Sequence, residues 1–586
     1  MNKIDPKSLI IINGLPPVVE GVHKVAFDTE FFNMEKKRLH RAHGDFAFLG
    51  CTFDGVKVYY ITDQDEVEEF LRRIDAGVWI GHNLKFDINQ LRRYAHITPR
   101  KKIWDTMLIE QIQYSGYYDT FSLADLARRR LDIYLEKGVR SQFSGGGEMV
   151  QDDLEVAPSP SGGHTGHELE MSREMLEYSC VDVVATWQVY QDQRAEIDDN
   201  DLNIWKEIER PFLWTILSMS GVKMDSEKWL TLAQRNADYA KEIQDKYVAD
   251  EDFLGINLNS PVQVKRHFLS LGYKLKSTDA EALEKLKDEC EFAQDMLKYR
   301  TYAKRASTYG KKFIDDYVEA DGRIYGDIFQ MGAQTGRCSS RSPNMQNQPH
   351  DKEYRECFVA GEGNVMIVAD WGSQEPRVAA YLSQDERLIE ILNSDKKLYI
   401  EIARDVLGKT ITKQSPEYSH IKSTVLGIFY GMSAQGLSKR IGVPEEEAGA
   451  MIKKILATYP GIKDYIQRQY QAKDYVQSIY GRKVWLNKYS NGWERGALNY
   501  PIQGSAADAM KIAAYRFLEE LDAVGMSNSP LKLLVHDEIV IECGKSFEDK
   551  IKGTLEQVMI DVANEMHDGI KGSVEIFSGD SWGVKG

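Results

Sequence analysis

Two spacings of apolar residues alternate along the chain, and they divide it into regions. Residues 24–32 (KVAFDTEFF) are short, apolar and β-rich, which predicts a strand. Residues 46–61 read as a hairpin around Asp54-Gly55, a dipeptide suited to a tight turn. Helical spacing with a charged opposite face marks 64–74, 121–131 and 172–196. From Gly138 to His167 the chain fills with Gly, Ser and Pro (SGGGEMVQDD, APSPSGGHTG), which predicts a long loop or insertion. From about 205 to 320 the pattern is mostly helical, with Ser260 as an N-cap and Pro261 at the first helical position. A second β-rich run, NVMIVAD, ends at Asp370, helices fill 396–475, and KLLVHDEIVIE (532–542) reads as a hairpin with a polar turn. No repeat of fixed period is visible. The order is a mixed α/β unit, a helical region, and a β region interrupted by a long helical insertion.

Length and composition narrow this picture. At about 150 residues per domain, 586 residues suggest roughly four domains. Apolar residues at 42% and charged residues at 28% exclude a collagen-like, fibrous or wholly disordered chain. Ninety acids against 74 bases give a net charge of −16, which argues against a simple electrostatic binder of nucleic acid. The charge is uneven, however. Residues 140–210 carry 16 acids and 5 bases, whereas 420–490 carry 11 bases and 5 acids. A local basic surface is what counterion release from DNA requires. Six scattered cysteines with no C-x-x-C pair predict reduced thiols, neither a disulfide framework nor a zinc site. The apolar run Leu9 to Ile12 is too short for a signal peptide, and no stretch of about 18 apolar residues suggests a membrane span. An intracellular, cytoplasmic protein is expected.

Candidate chemistry sharpens the reading. Asp28 and Glu30 lie two apart on the first predicted strand, so both side chains leave the same face. Two carboxylates so placed repel unless a cation or a proton shares the site. Asp87 follows in the apolar setting GHNLKFDINQL, and LEYSCVDVVATW carries Tyr178 and Asp182 at i, i+4 on one helix face. Singly, each acid reads as a surface residue; in this order, they resemble the three motifs of the DEDDy proofreading exonucleases, whose domain is RNase H-like. That resemblance implies that Asp28, Glu30, Asp87 and Asp182 hold two divalent ions, Mg2+ with Mn2+ able to substitute, while Tyr178 orients the attacking water. An active 3′→5′ exonuclease on single-stranded DNA 3′ ends is expected.

Three later segments carry a second set. VADWGSQEPRVAAYLS has Asp370 at a strand end, then Glu375 and Arg377. HIKSTVLGIFYGMSAQGLSKR spaces Lys422, Leu426 and Tyr430 at i, i+4, i+8 on one helix face, with Gly431 next. Amphipathic packing alone would give the same spacing. LLVHDEIVIE puts His536, Asp537 and Glu538 at a hairpin turn, so Asp370 and Asp537 could meet on one sheet. These segments resemble motifs A, B and C of family A DNA polymerases, the bacterial DNA polymerase I group. TGRCSSRSPNMQNQP (335–349), ERGALNYPIQGSAADAMK (494–511) and IERPFLWTILSMSGVKMD (208–225) resemble further family segments, so the likeness runs from about residue 24 to the end.

The resemblance implies an α/β and α+β multidomain chain: exonuclease domain 1–204 with its Gly/Ser-rich loop 138–167, thumb 205–320, palm 321–395, fingers 396–475 and palm again 476–586. Asp370 and Asp537 would bind two Mg2+ between the primer 3′-hydroxyl and a dNTP, with Glu538 as a supporting acid. Lys422 would meet the triphosphate and Leu426, Tyr430 and Gly431 the base and template, with Tyr399 and Arg377 also at the nucleotide. Glu375 would exclude a ribose 2′-hydroxyl. Arg337, Asn344, Gln346, Asn347, Arg495, Asn499, Gln503 and His536 would hold primer–template DNA, where Asn, Gln and Arg suit minor-groove acceptors common to all base pairs. A monomer is expected, with replisome partners such as a helicase or a single-strand-binding protein left open.

This chain also departs from the family pattern. Motif A has Gly372 and Ser373 where Ser and Gln are usual, Tyr418 replaces an arginine, Tyr399 replaces a histidine, and Leu426 replaces Phe or Tyr. Two phosphate contacts are therefore altered, with His420 or Lys413 as candidate substitutes. Only about 23 residues precede the exonuclease strand and no 5′-nuclease fits, so a Klenow-like or bacteriophage enzyme is expected. The rivals are a single-subunit RNA polymerase relative, a 3′→5′ exonuclease with an inactive polymerase half, and a non-enzymatic DNA-binding scaffold. Glu375 and the exonuclease motifs argue against the first; Asp370, Asp537 and Lys422 argue against the others.

Overall fold

The computed structural model describes residues 3–19, 21, 23–34, 43–75, 77–97, 101–136, 138–144, 171–248, 255–526 and 529–585. Its first sheet has the strand order Ile10–Asn13, Lys57–Ile61, Asp45–Thr52, Lys24–Phe32, Val78–Gly81, Ile103–Asp105. Lys24–Phe32 pairs antiparallel with Asp45–Thr52 and parallel with Val78–Gly81, so the sheet is mixed. The predicted hairpin forms, and Asp54 accepts hydrogen bonds from the Val56 and Lys57 amides while Gly55 turns at φ +76°. Helix Arg173–Glu196, capped by Ser172, packs across the sheet. Of the predicted 138–167 loop, Gly138–Ser144 is a 3-10 turn and residues 145–167 lie outside the described residues.

The second sheet is antiparallel throughout, in the order Leu531–Val535, Glu538–Gly544, Asn364–Trp371, Val574–Gly579. Its residues divide with period two. Met366, Val368, Leu533, Val535 and Val540 face one core, and Val365, Ile367, Ala369, Leu534, Ile539 and Ile541 face another. Because both faces are covered, NVMIVAD reads as an unbroken apolar run. Helices Trp493–Ala523 and Glu548–Met566 pack together on one face.

Helices Ser226–Val248, Pro261–Ser270 and Glu291–Thr308 form a lobe with its own core around Val264, Phe268, Phe292 and Met296. Ser260 caps the second of them, its hydroxyl accepting from the Gln263 amide. The span 205–320 is not all helix: Val222–Met224 is a strand pairing with Arg323–Ile324 and Phe358–Val359. Three residues are too few to show a period in the sequence. Helices Leu398–Leu407, Pro416–Phe429, Ala434–Ile441, Glu445–Thr458 and Pro460–Tyr470 build the long helical insertion.

One buried charge cluster ties these parts together. Arg482 is fully buried and bonds Asp508 (2.6 Å) and Glu209, and Lys511 reaches Glu209 at 2.6 Å. The basic excess at 420–490 is therefore partly internal. Lys483 pairs with Asp198 and Asp201, whereas Lys439, Arg440, Lys453, Lys454 and Lys488 are exposed. All six cysteines are unpaired thiols, five of them buried.

Candidate active sites

Asp28 and Glu30 leave one face of strand Lys24–Phe32, half-buried between fully buried neighbours. Helix Arg173–Glu196 brings Asp182 to them, and carboxylate oxygens of all three lie within 4.8 Å of one another. Asp87 stands apart from this trio. It sits in the first turn of helix Leu84–Leu91, and its Oδ1 accepts from the Thr29 amide (3.2 Å) and hydroxyl (2.5 Å). Burial, then the Asp28 charge, pushes its carboxyl well above the usual range. Three of the four expected acids thus converge, and the fourth is committed to the strand that carries two of them. Tyr178, one turn before Asp182, packs beside Phe32, Phe143 and Met175. Asp105, which no motif flagged, is a further buried acid. It caps helix Thr106–Tyr114 and accepts from the Asn83 and Leu84 amides, and burial lifts it to about 6.

In the second sheet, register sets Asp370 opposite Glu538, and the two-residue turn His536-Asp537 leads into Glu538. His536 takes a left-handed φ of +57°, a conformation uncommon for a residue with a Cβ. A cleft of about 370 Å³ opens there, lined by His350, Arg355, Asp370, Asp537, Glu538 and Lys585. Burial, then the Asp370 charge, pushes Asp537 up to about 7, and burial also raises Asp370. Asp370 Oδ1 is buried without a hydrogen-bond partner, while Oδ2 accepts from Lys585. Such a carboxylate pair with an unused buried oxygen suits a hard divalent cation. Glu538 is differently placed. Its Oε1 accepts from Trp582 Nε1 (2.5 Å) and its Oε2 faces Arg355 (3.4 Å) and Lys585 (3.6 Å), so its oxygens hold the segment Trp582–Lys585.

Along helix Pro416–Phe429 and its end, Lys422 is exposed while Leu426 and Tyr430 are half-buried, so the face is open and not packed away. Tyr430 donates to Glu375 Oε2, and Arg337 pairs with Glu375 Oε1. Tyr399 is buried edge-on to Tyr418 (5.8 Å), and Lys422 Nζ stands 5.9 Å from its ring centre. Gly431 has φ +64°, and a Cβ there would meet Arg495 Cα at 3.1 Å. That close approach joins the helical insertion to helix Trp493–Ala523, on which Arg495, Asn499 and Gln503 share one face. Asn499 Oδ1 is buried without a partner. Asn344 caps the turn Met345–Asn347, Gln346 donates to the Leu534 carbonyl (3.2 Å), and the Asn347 carbonyl accepts from Tyr309. Arg377 is largely internal. It is 9% exposed, and its guanidinium donates to the carbonyls of Gly372 (2.9 Å), Leu392 (3.1 Å) and Lys571. Through Nε and Nη1 it braces the backbone after Asp370 against the Leu392 and Lys571 carbonyls.

Comparison with known proteins decides the family. Residues 226–584, more than half of the chain, match the pattern of DNA polymerase family A. The chain belongs to DNA polymerase family A. Residues 17–198 match a 3′-5′ exonuclease domain. The DNA polymerase I of Caldicellulosiruptor bescii is 33% identical over 411 residues, 65% of this chain and 47% of that protein. The DNA polymerase I of Borreliella burgdorferi is 30% identical over 530 residues, 86% of this chain and 55% of that protein. The chain thus spans about half the length of the curated relatives it matches. A solved structure, the POL domain of Pol1 from M. smegmatis in complex with DNA primer-template and dNTP, superposes with a TM-score of 0.79 at 24% identity over 96% of both chains. The fold is therefore a right-hand family A polymerase joined to an exonuclease domain. Family A polymerase and exonuclease domains use divalent metal ions, and Asp28, Glu30 and Asp182 offer oxygen donors for one. Among the described residues, no helix is long and apolar enough to cross a membrane.

Proposed function

We propose that this family A member extends a DNA primer on a template and removes mispaired 3′ ends at a separate exonuclease site. The observation that carries this is the meeting of Asp370 and Asp537 at one end of a four-stranded sheet, with the Glu375–Tyr430–Arg337 contact beside it. Asp370 and Asp537 hold divalent ions, which are Mg2+ in the cell, as do Asp28, Glu30 and Asp182. Ions bound there supply Lewis-acid activation of the attacking oxygen and neutralise charge on the phosphates. The residues themselves position. Glu375, held through both oxygens, closes the space a ribose 2′-hydroxyl would need. Lys422 meets the triphosphate, and Leu426 and Tyr430 carry the base. Arg495, Asn499, Gln503, Gln346 and His536 line the duplex. Tyr178 orients water at the exonuclease trio, and Asp87 fixes the strand under it through Thr29.

Primer extension on a templated duplex with Mg2+, with and without dNTPs, tests the reading. Asp28→Ala with Glu30→Ala abolishes primer degradation and leaves extension, and Asp370→Ala or Asp537→Ala does the reverse. Loss of both activities in either folded variant refutes two independent sites. Preferential use of ribonucleotides would favour an RNA polymerase relative instead.

A further inference from the structure

The cleft beside Asp370 contains a cation of its own. Lys585 Nζ bonds Asp370 Oδ2 and lies 3.6 Å from Glu538 Oε2, with its side chain 26% exposed. It is not a loose surface lysine. The turn Trp582–Lys585 that carries it is pinned by Trp582, which is 1% exposed, donates to Glu538 Oε1 (2.5 Å) and stands edge-on to Phe358 (5.4 Å). Gly583 lets the turn lie flat on the chain below, since a Cβ there would meet Glu356 Cγ at 2.4 Å. Arg355 sits over the Trp582 ring at 4.5 Å and closes the far side. The turn is therefore built to deliver one ammonium group to one carboxylate.

We propose that Lys585 competes with a divalent ion for the charge of the Asp370 carboxylate, so that the turn Trp582–Lys585 regulates ion loading of the polymerase site. This rests on reading Asp370 and Asp537 as ion ligands. An ion taken up by the free Oδ1 of Asp370 would share one carboxylate with the ammonium group on Oδ2, and like charges that close in a half-buried cleft repel strongly. Swinging Lys585 toward solvent relieves that repulsion, and its partial exposure leaves the path open. The residue sets a threshold: the carboxylates stay neutralised until the ion concentration, or an arriving anionic nucleotide, favours exchange.

The test is Mn2+ titration of the full chain, followed by the electron paramagnetic resonance signal of free Mn2+, in an Asp28→Ala/Glu30→Ala background that removes two of the three exonuclease acids. Lys585→Met should tighten Asp370-dependent Mn2+ binding about tenfold, the scale of freeing one charge-assisted hydrogen bond. Lys585→Arg should match the parent. Lys545→Met removes the same charge from an exposed site whose nearest acid is Asp580 at 3.6 Å, and should change nothing. Unchanged or weaker binding in Lys585→Met, or an equal shift in Lys545→Met, overturns the proposal. If Asp370→Asn alters Mn2+ binding in neither the parent nor Lys585→Met, the ion-site reading fails and takes the proposal with it. Asp370-dependent binding in the parent that Lys585→Met leaves untouched overturns the proposal alone.

Discussion

Replacing Arg482 with Met tests whether the buried charge cluster holds the helical segment 205–218 against helix Trp493–Ala523. Arg482, Glu209 and Asp508 have no side-chain exposure, and Lys511 has 1%. In the native chain the two acids and two bases cancel. Without the guanidinium, Glu209 keeps Lys511 at 2.6 Å and the Gln330 amide at 2.6 Å, but Asp508 keeps only the Ser478 hydroxyl at 2.9 Å. One carboxylate is left buried without a counter-charge, which costs about 3–5 kcal/mol when one partner of a buried pair is removed. Removing Asp508 as well, in Arg482→Met/Asp508→Leu, leaves the neutral Glu209–Lys511 pair and should recover at least half of the loss. A chain of several domains does not unfold in two states, so a single midpoint would mislead. Hydrogen exchange of the amides in 205–218 and 493–523 reads the local opening free energy directly. A loss under about 1 kcal/mol in the single variant, or a double variant no better than the single, would refute the reasoning.

Three further outcomes follow from the same geometry. Gly431→Ala places a Cβ 3.1 Å from the Arg495 backbone at φ +64°, so primer extension should fall while exonuclease activity and the melting of the N-terminal domain stay unchanged; extension equal to the parent contradicts the close approach. Burial would raise Glu542, but Asn364, the Gly361 amide and Lys532 hold it at about 2, so its stabilisation is full above about pH 4.5 and is lost as pH falls toward 2. Glu542→Gln should therefore be less stable by about 2–3 kcal/mol at pH 7, with the gap closing in that acid window; a gap independent of pH would rule out the assignment. Leu426→Phe adds a ring to the open helix face, so single-turnover incorporation and discrimination against dideoxynucleotides should both change; identical values in the two proteins would remove Leu426 from the nucleotide site.

Where spacing within one element set the geometry, the sequence was enough to read it. Asp28 and Glu30 share a face because a strand has period two, and Tyr178 and Asp182 share one because a helix has period 3.6. The same holds for Lys422, Leu426 and Tyr430, whose helix face the structure leaves open. What could not be read is which way a side chain turns once elements pack. Arg377 sits in a family motif, and its position gives no sign that three carbonyls, those of Gly372, Leu392 and Lys571, accept from its guanidinium. Asp87 has the expected neighbours in sequence, but the Thr29 hydroxyl that engages it comes from another element. Lys585 and Trp582 reach Asp370 and Glu538 across the sheet, and no local pattern in SWGVKG signals that contact.

The net charge shows the same limit in another form. Counted along the chain, 420–490 is basic, yet Arg482 and Lys483 in that span are spent on Glu209, Asp508, Asp198 and Asp201. The cations left to face solvent there include Lys439, Arg440, Lys453 and Lys454, on the helices Ala434–Ile441 and Glu445–Thr458. The acids are divided in the same way: some neutralise buried bases, and others gather at two centres. A total of −16 is thus compatible with gripping a polyanion, because the two acid-rich centres call for bound cations and the surface that would meet phosphate carries its own.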